Sequence, residues 1–348
     1  MRPLRLPLAI VIVLFTLLVA APAWACGGLV NTNGSVTLVR TTTLAAYHRG
    51  IEHYVTSFEF AGGTGEFGSI IPLPGVPTEV IRGGDWTLQR LVQETQPQPE
   101  VFAALASSAG AAEDRAQVVL KTEIDALDIV VLEGGGKAVG DWALEHGFFL
   151  PPDAPEVLDF YAERSPIFMT VRFDASRAAE QGLGAGDGTP VHVVIPTTNP
   201  WVPLRILGLG LGDEARVEAD VFLLTEGVPE MLPAPKPAGA EGGLVLDRSE
   251  SADDLLLADL RSDKGMKWIP ASDMWFSYVR IDTTAGELKH DLAIDATGRS
   301  EPSPVAAGLQ LPLRLPELPQ EASPWPWVAA ILGGLAVFVV ITRALDRA

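Results

Sequence analysis

Apolar and polar positions alternate with a period of two along much of this chain, and helical spacing appears only in short windows. From His53 to Phe60, Tyr54, Thr56, Phe58 and Phe60 fall on one side while Val55, Ser57 and Glu59 fall on the other. Leu29 to Thr43 alternates in the same way, and the turn signal Tyr47-His48-Arg49-Gly50 joins the two runs into a predicted hairpin. Ser69-Ile70-Ile71 is a short strand stopped by Pro72, Pro74 and Pro77. Val118 to Leu132 reads as a strand or strand pair. Ile167, Met169, Val171 and Phe173 form one face of another strand. Val191 to Ile195, Val202 to Leu209 and Arg216 to Leu224 add three more. Met274 to Asp282 and Glu287 to Asp295, flanking Thr283 to Gly286, predict a second hairpin.

Helical windows are few and well punctuated. Asp85 is placed to cap a helix carrying Trp86, Leu88, Leu91 and Val92, and a second helix is expected over 100–107. Asp128 to Pro152 is the most fully specified stretch: an apolar run, Gly134 to Gly136, a helix with Val139, Trp142 and Ala143 on one face, Gly147, then Pro151-Pro152. Pro155 opens the next helix, whose inner face is Val157, Leu158 and Tyr161. Ser251 to Leu260 is acidic and helical. The expected fold class is α+β: a mainly antiparallel β-sheet body with short inserted helices, plus one C-terminal transmembrane helix. One weak echo joins 58–74 to 171–200, each running strand, glycine loop, strand, Ile-Pro, which would mark two related β-units.

The ends suggest a compartment. Residues 1–25 have the form of a signal peptide, with Arg2 and Arg5, an apolar run, and Ala23-Trp24-Ala25 before the cut. Cleavage between Ala25 and Cys26 would leave Cys26 at the mature N-terminus. That is the lipoprotein position, although Ala23 and Trp24 depart from the usual pattern and a plain thiol is the favoured reading. Residues 325–342 are uncharged, carry tryptophans at one end and are followed by arginines, which predicts a single span with the body outside the cell membrane and 343–348 in the cytoplasm. Between the ends, 26–227 is expected to be a β-rich extracytoplasmic core domain. A Pro/Gly-rich linker or excursion follows at 228–250. The body continues at 251–297 with its hairpin, and 298–324 is a proline-rich stalk.

Charge and chemistry narrow the function without naming it. The formal net charge is −19, and −22 once the signal-region arginines and the tail are set aside, so nucleic acid is not an expected partner. With one cysteine, no intrachain disulfide and no cysteine metal site can form. The five histidines do not converge in sequence, and the spacing of His48 and His53 points them to different faces. No Gly-x-Ser-x-Gly is present. The loop over 182–188 joins two strands and does not open a helix, and no Lys-Ser/Thr pair follows Gly134 to Gly136, so neither is a phosphate cradle. No catalytic, cofactor-binding or metal residue is singled out, and no cofactor is expected.

Several stretches resemble a bacterial secreted family known as domain of unknown function 2330. They are the Cys-Gly-Gly at 26–28, the run from Phe58 to Pro77 ending IIPLPGVP, DIVVLEGGGKAVGDWALEHGFFLPP, PVHVVIPTTNPWVPLRI and ADVFLLTEG. The resemblance covers roughly residues 26–300 and implies a cell-envelope protein with a signal peptide. It carries no reaction, so no catalytic residue transfers. Its structural signature here is Trp142, Gly147 and Pro151, a corner that would pin the helical insert onto the sheet. The expected function is a non-enzymatic binding or interaction module of the envelope. Its partners would be the membrane, through the C-terminal helix, and an envelope protein or glycan. A hydrolase with carboxylates assembled in space and a structural spacer or oligomerisation domain are the alternatives.

Overall fold

A computed structural model of the chain describes residues 29–31, 37–61, 67–95, 116–181 and 188–312. The chain begins with β1 (Leu29–Asn31), β2 (Thr37–His48), β3 (Ile51–Ala61), β4 (Phe67–Pro72) and β5 (Glu79–Arg82), followed by α1 (Thr87–Thr95). Next come β6 (Gln117–Ile124), β7 (Leu127–Glu133), α2 (Gly136–Glu145), α3 (Ala154–Ala162), β8 (Ile167–Phe173) and α4 (Ala175–Gln181). The remainder is β9 (Val191–Pro196), β10 (Trp201–Val202), β11 (Arg216–Thr225), β12 (Glu230–Leu232), β13 (Lys236–Pro237), β14 (Gly243–Ser251), α5 (Asp254–Ser262), β15 (Trp275–Thr284) and β16 (Leu292–Asp295).

These strands form an eight-stranded sheet in the order β13-β14-β15-β11-β2-β3-β9-β5, a five-stranded sheet β1-β4-β8-β7-β6, and a three-stranded sheet β10-β16-β12. Alternation along the central strands gives the main sheet two buried faces. Ala45, Tyr54, Val193, Val221 and Val279 enter one large core with the five-stranded sheet, α2 and α3. Leu44, Ala46, Val55, Phe222 and Phe276 point the other way, into a second core roofed by Leu88 and Leu91 of α1, by Leu256, Leu257 and Leu260 of α5, and by Met266 and Ile269. A sheet covered on both faces carries unbroken apolar runs such as Val221 to Leu224.

The sheet-rich α+β body with short helices is present, with corrections. The main sheet is mixed, because β2 and β11 run parallel, as do β13 and β14. The expected transmembrane helix does not stand: the helices span seven to ten residues, and among the described residues none is long and apolar enough to cross a membrane. The stretch 325–342 itself lies outside the described residues, as do the signal-peptide stretch and the helix expected over 100–107.

The second expected hairpin does not form either. β15 pairs with β11 and β14, whereas β16 pairs with β10 and β12. The stretch expected as linker or excursion, 228–250, contributes β12, β13 and most of β14. Within the expected stalk, Ala306 and Ala307 are buried and the Asp291 N–H donates to the Ala307 carbonyl. Residues 202–209, read as a strand, hold a 3-10 turn over Arg205–Gly208, with only Val202 in a strand. The internal echo joins β3-β4 to β8-β9, but the two pairs cross the sheets in opposite order. β3 pairs with β9 in the main sheet and β4 with β8 in the five-stranded sheet, an antiparallel nesting that differs from a repeated unit.

Candidate functional site

Trp142 is 4% exposed on α2, stacked on His146 at 3.9 Å. His146 ends the helix and Gly147 follows at φ +81°, a left-handed turn that a side chain would strain. That turn swings Phe148 inward until its ring occupies the space a Cβ on Gly68 of β4 would take, so the corner is pinned onto the five-stranded sheet. Pro151 packs against Gly210. The triple glycine has a packing reason at one position: a Cβ on Gly136 would lie 2.5 Å from the Asp159 backbone nitrogen, so only glycine lets α2 approach α3. Ala25 and Cys26 lie outside the described residues.

The buried polar chemistry lies elsewhere, in clusters assembled from distant segments. Asp291 is fully buried and accepts from Tyr161 Oη (2.8 Å), from the Leu204 and Arg205 N–H groups (2.8 and 2.9 Å) and from Arg164 Nη2 (2.5 Å). Tyr161 in turn accepts from the Ile206 N–H at 2.9 Å. Burial, and then the Asp291 charge, hold the Tyr161 phenol well above its ordinary value, so it stays a donor. Asp220, 1% exposed, takes a bidentate pair from Arg40 (2.5 and 2.7 Å) and a bond from Tyr278 Oη (2.7 Å). Asp263 caps α1 from a distance, accepting from the Asp85, Trp86 and Thr87 N–H groups and the Thr87 hydroxyl. Burial alone would raise that carboxyl, but these bonds outweigh it and hold it below the usual range. Every one of these charges is committed to holding the fold.

Two neighbours on β3 break that pattern. Glu52 is fully buried, and neither carboxyl oxygen has a partner at hydrogen-bonding distance and angle. Desolvation pushes it up to about 8, only partly offset by the nearby Trp201 N–H, so it is protonated at neutral pH. His53 faces the opposite side. Its Nδ1 lies 3.0 Å from His192 Nε2, and Trp268 stacks on it at 3.7 Å, almost parallel. Burial, and then a neighbouring imidazole in each case, push His53 down to about 4 and His192 down to about 3; both rings are neutral near pH 7. His48 shares that face, because the β2-β3 hairpin sets it opposite Ile51; the spacing-based expectation of different faces is thereby corrected. His48 Nδ1 lies 2.9 Å from Glu226 Oε1 but off the hydrogen-bonding angle. Among the described residues no group of three or more His, Cys, Asp or Glu side chains could hold a metal ion.

Space for a substrate is the other requirement. The cavity between the sheets, lined by Thr41, Thr43, Tyr54, Ser69, Leu204 and Ile206 among others, measures about 20 Å³, the room of a single water, and no carboxylate lines it. The surface offers scattered exposed apolar side chains, some close together in the chain: Leu144 (57% exposed) and Phe149 (65%) at and just past the end of α2, and Leu309 and Leu311 further on.

Fold and interior thus define a sheet-rich α+β domain whose buried ions serve architecture. The chain belongs to a family of uncharacterized proteins conserved in bacteria, domain of unknown function 2330, whose model matches residues 20–223. No curated protein matches it. Solved structures with a distant likeness include three of baculovirus P35. Baculovirus P35 has a TM-score of 0.41 and 10% identity, over 75% of this chain and 97% of that one. The caspase-8/P35 complex has a TM-score of 0.35 and 8% identity, over 77% and 98%. A mutated baculovirus P35 after caspase cleavage has 0.35 and 9%, over 74% and 99%. Likeness at this level carries no functional argument.

Proposed function

We propose that this chain is a non-enzymatic interaction module that works outside the cytoplasm of a bacterium. The observation that carries the reading is where the buried charge goes. Asp291, Asp220 and Asp263 are each saturated by internal donors, and the cavity between the sheets holds about one water and no carboxylate. Catalytic groups need unspent hydrogen-bonding capacity beside room for a substrate. A rigid, doubly covered sheet with an acidic exterior instead suits presentation of a surface to a partner protein or glycan. The signal-peptide pattern over 1–25 supports the location.

In-cell cross-linking in the native bacterium, quantified by mass spectrometry against a tag-only control, tests this reading. It is expected to recover one envelope partner reproducibly and near stoichiometrically. Release of product from an envelope glycan or peptide by the purified chain, abolished by a single carboxylate substitution, would overturn it.

A further inference from the structure

The outward stripe of α2 carries Lys137, Asp141, Leu144 and Glu145 at helical spacing, and all four are exposed. Leu144 stands 57% exposed between two acids. Phe149, 65% exposed, follows just past the Gly147 turn, while its neighbour Phe148 is buried. Packing accounts for Trp142, Gly147 and Phe148 but not for these two. Single exposed apolar residues are ordinary; an exposed leucine and phenylalanine five residues apart across one helix end, followed by half-buried Leu150, offer an anchor for a partner. Glu145 flanks it, Asp141 lies one turn back paired with Lys137 at 2.6 Å, and α3, packed against α2, presents Asp159 to solvent along with Glu156, which pairs with Arg205.

We infer that this end of α2 docks a basic protein segment that seats an apolar side chain against Leu144 and Phe149. Charge complementarity selects that occupant. Glu145 and Asp159 beside the anchor, on a chain of net charge −19, repel a second copy or an anionic lipid surface and attract lysine and arginine. The aromatic at the centre supplies the desolvated contact, and the acids set the approach. The inference rests on the interaction-module reading and gives it a place and a partner chemistry.

The probe is a fluorescein-labelled 18-residue amphipathic helix of leucine and lysine, followed by anisotropy against the full chain. Leu144→Ser with Phe149→Ser is expected to weaken binding by about tenfold or more. Asp141→Asn with Glu145→Gln is expected to weaken it and flatten its salt dependence. Melting temperature serves as the folding control. Should the serine variant unfold, a benzophenone on the peptide is expected to cross-link the unaltered chain within 141–152. Equal binding to every variant, or cross-links elsewhere, overturns this face and leaves the interaction-module reading standing. No binding to the unaltered chain overturns the partner chemistry. A dimer seen by sedimentation that Phe149→Ser dissolves overturns the choice of occupant in favour of a second copy.

Discussion

Replacing Glu52 with glutamine keeps the shape of the side chain and removes the proton it binds. The carboxyl sits in the core with no hydrogen-bond partner and is pushed up to about 8, from an ordinary value of 4.5. Between those values the folded chain holds a proton that the unfolded chain has released. Its contribution is therefore fully present below about pH 4.5 and is lost as pH rises toward about 8. At about 1.4 kcal/mol per pH unit, going from pH 5 to pH 8 removes about 3–4 kcal/mol of stability through this one group. Glu52→Gln has no such loss. The stability difference between variant and wild type should thus move in the variant's favour by about 3–4 kcal/mol over that interval. Urea unfolding of both chains at pH 5, 6, 7 and 8 measures it, and histidine titration cancels in the difference. Parallel stability profiles would refute the assignment of a neutral, unpartnered carboxyl at this position.

Other substitutions probe the packing. Trp142→Ala should cost about 3–5 kcal/mol, since the ring is 4% exposed between His146 and Phe148; a melting temperature equal to wild type would show that the corner does not hold the helices. Asp291→Ala leaves the buried Arg164 guanidinium without its carboxylate and should cost about 3–5 kcal/mol by denaturant titration. Gly136→Ala should lower stability by about 1–3 kcal/mol, because the methyl group meets the backbone of α3; an unchanged or raised midpoint argues against that close approach. Acid should weaken the second core. His53 and His192 are held below 6.5, so the stability they lend is complete above that value and disappears as pH falls toward 3–4, a loss that His53→Asn with His192→Asn should flatten.

Local structure was legible where one short window carries its own start, period and stop. The β2-β3 hairpin, the β6-β7 pair, β8, and the α2 and α3 helices between glycine and proline signals all fall where alternation and punctuation put them. Partner choice was not legible. Alternation shows that β15 and β16 are strands, but β15 finds β11 and β14, and β16 finds β10 and β12, through contacts that no window of the sequence contains. The same holds for the polar clusters: Tyr161 and Asp291 are 130 positions apart, Thr87 and Asp263 are 176, and His53 and His192 are 139. One signal was available. Extending the β3 alternation back two residues from Tyr54 puts Glu52 on its buried face, where an unpaired carboxylate has no business being ionised.

Glu52 and His53 are consecutive, and the pleat of β3 sends them into opposite cores. Neither side offers these groups a compensating charge, yet the consequences have opposite sign. Glu52 must take up a proton to stay buried, so its core is favoured by acid. His53 and His192 must give protons up, so theirs is favoured by base. Of these three groups, Glu52 dominates above about pH 6.5, and its contribution falls as pH rises. Below it the histidine pair opposes Glu52, and with two groups against one the slope reverses. The three groups together place their stability maximum at about pH 6 to 6.5. Neither double nor single neutral substitutions should leave that maximum in place: Glu52→Gln moves it toward base, and the paired histidine replacement moves it toward acid. Glu52 on one face of β3, and His53 with His192 of β9 on the other, thereby pull the pH dependence of the doubly covered sheet in opposite directions.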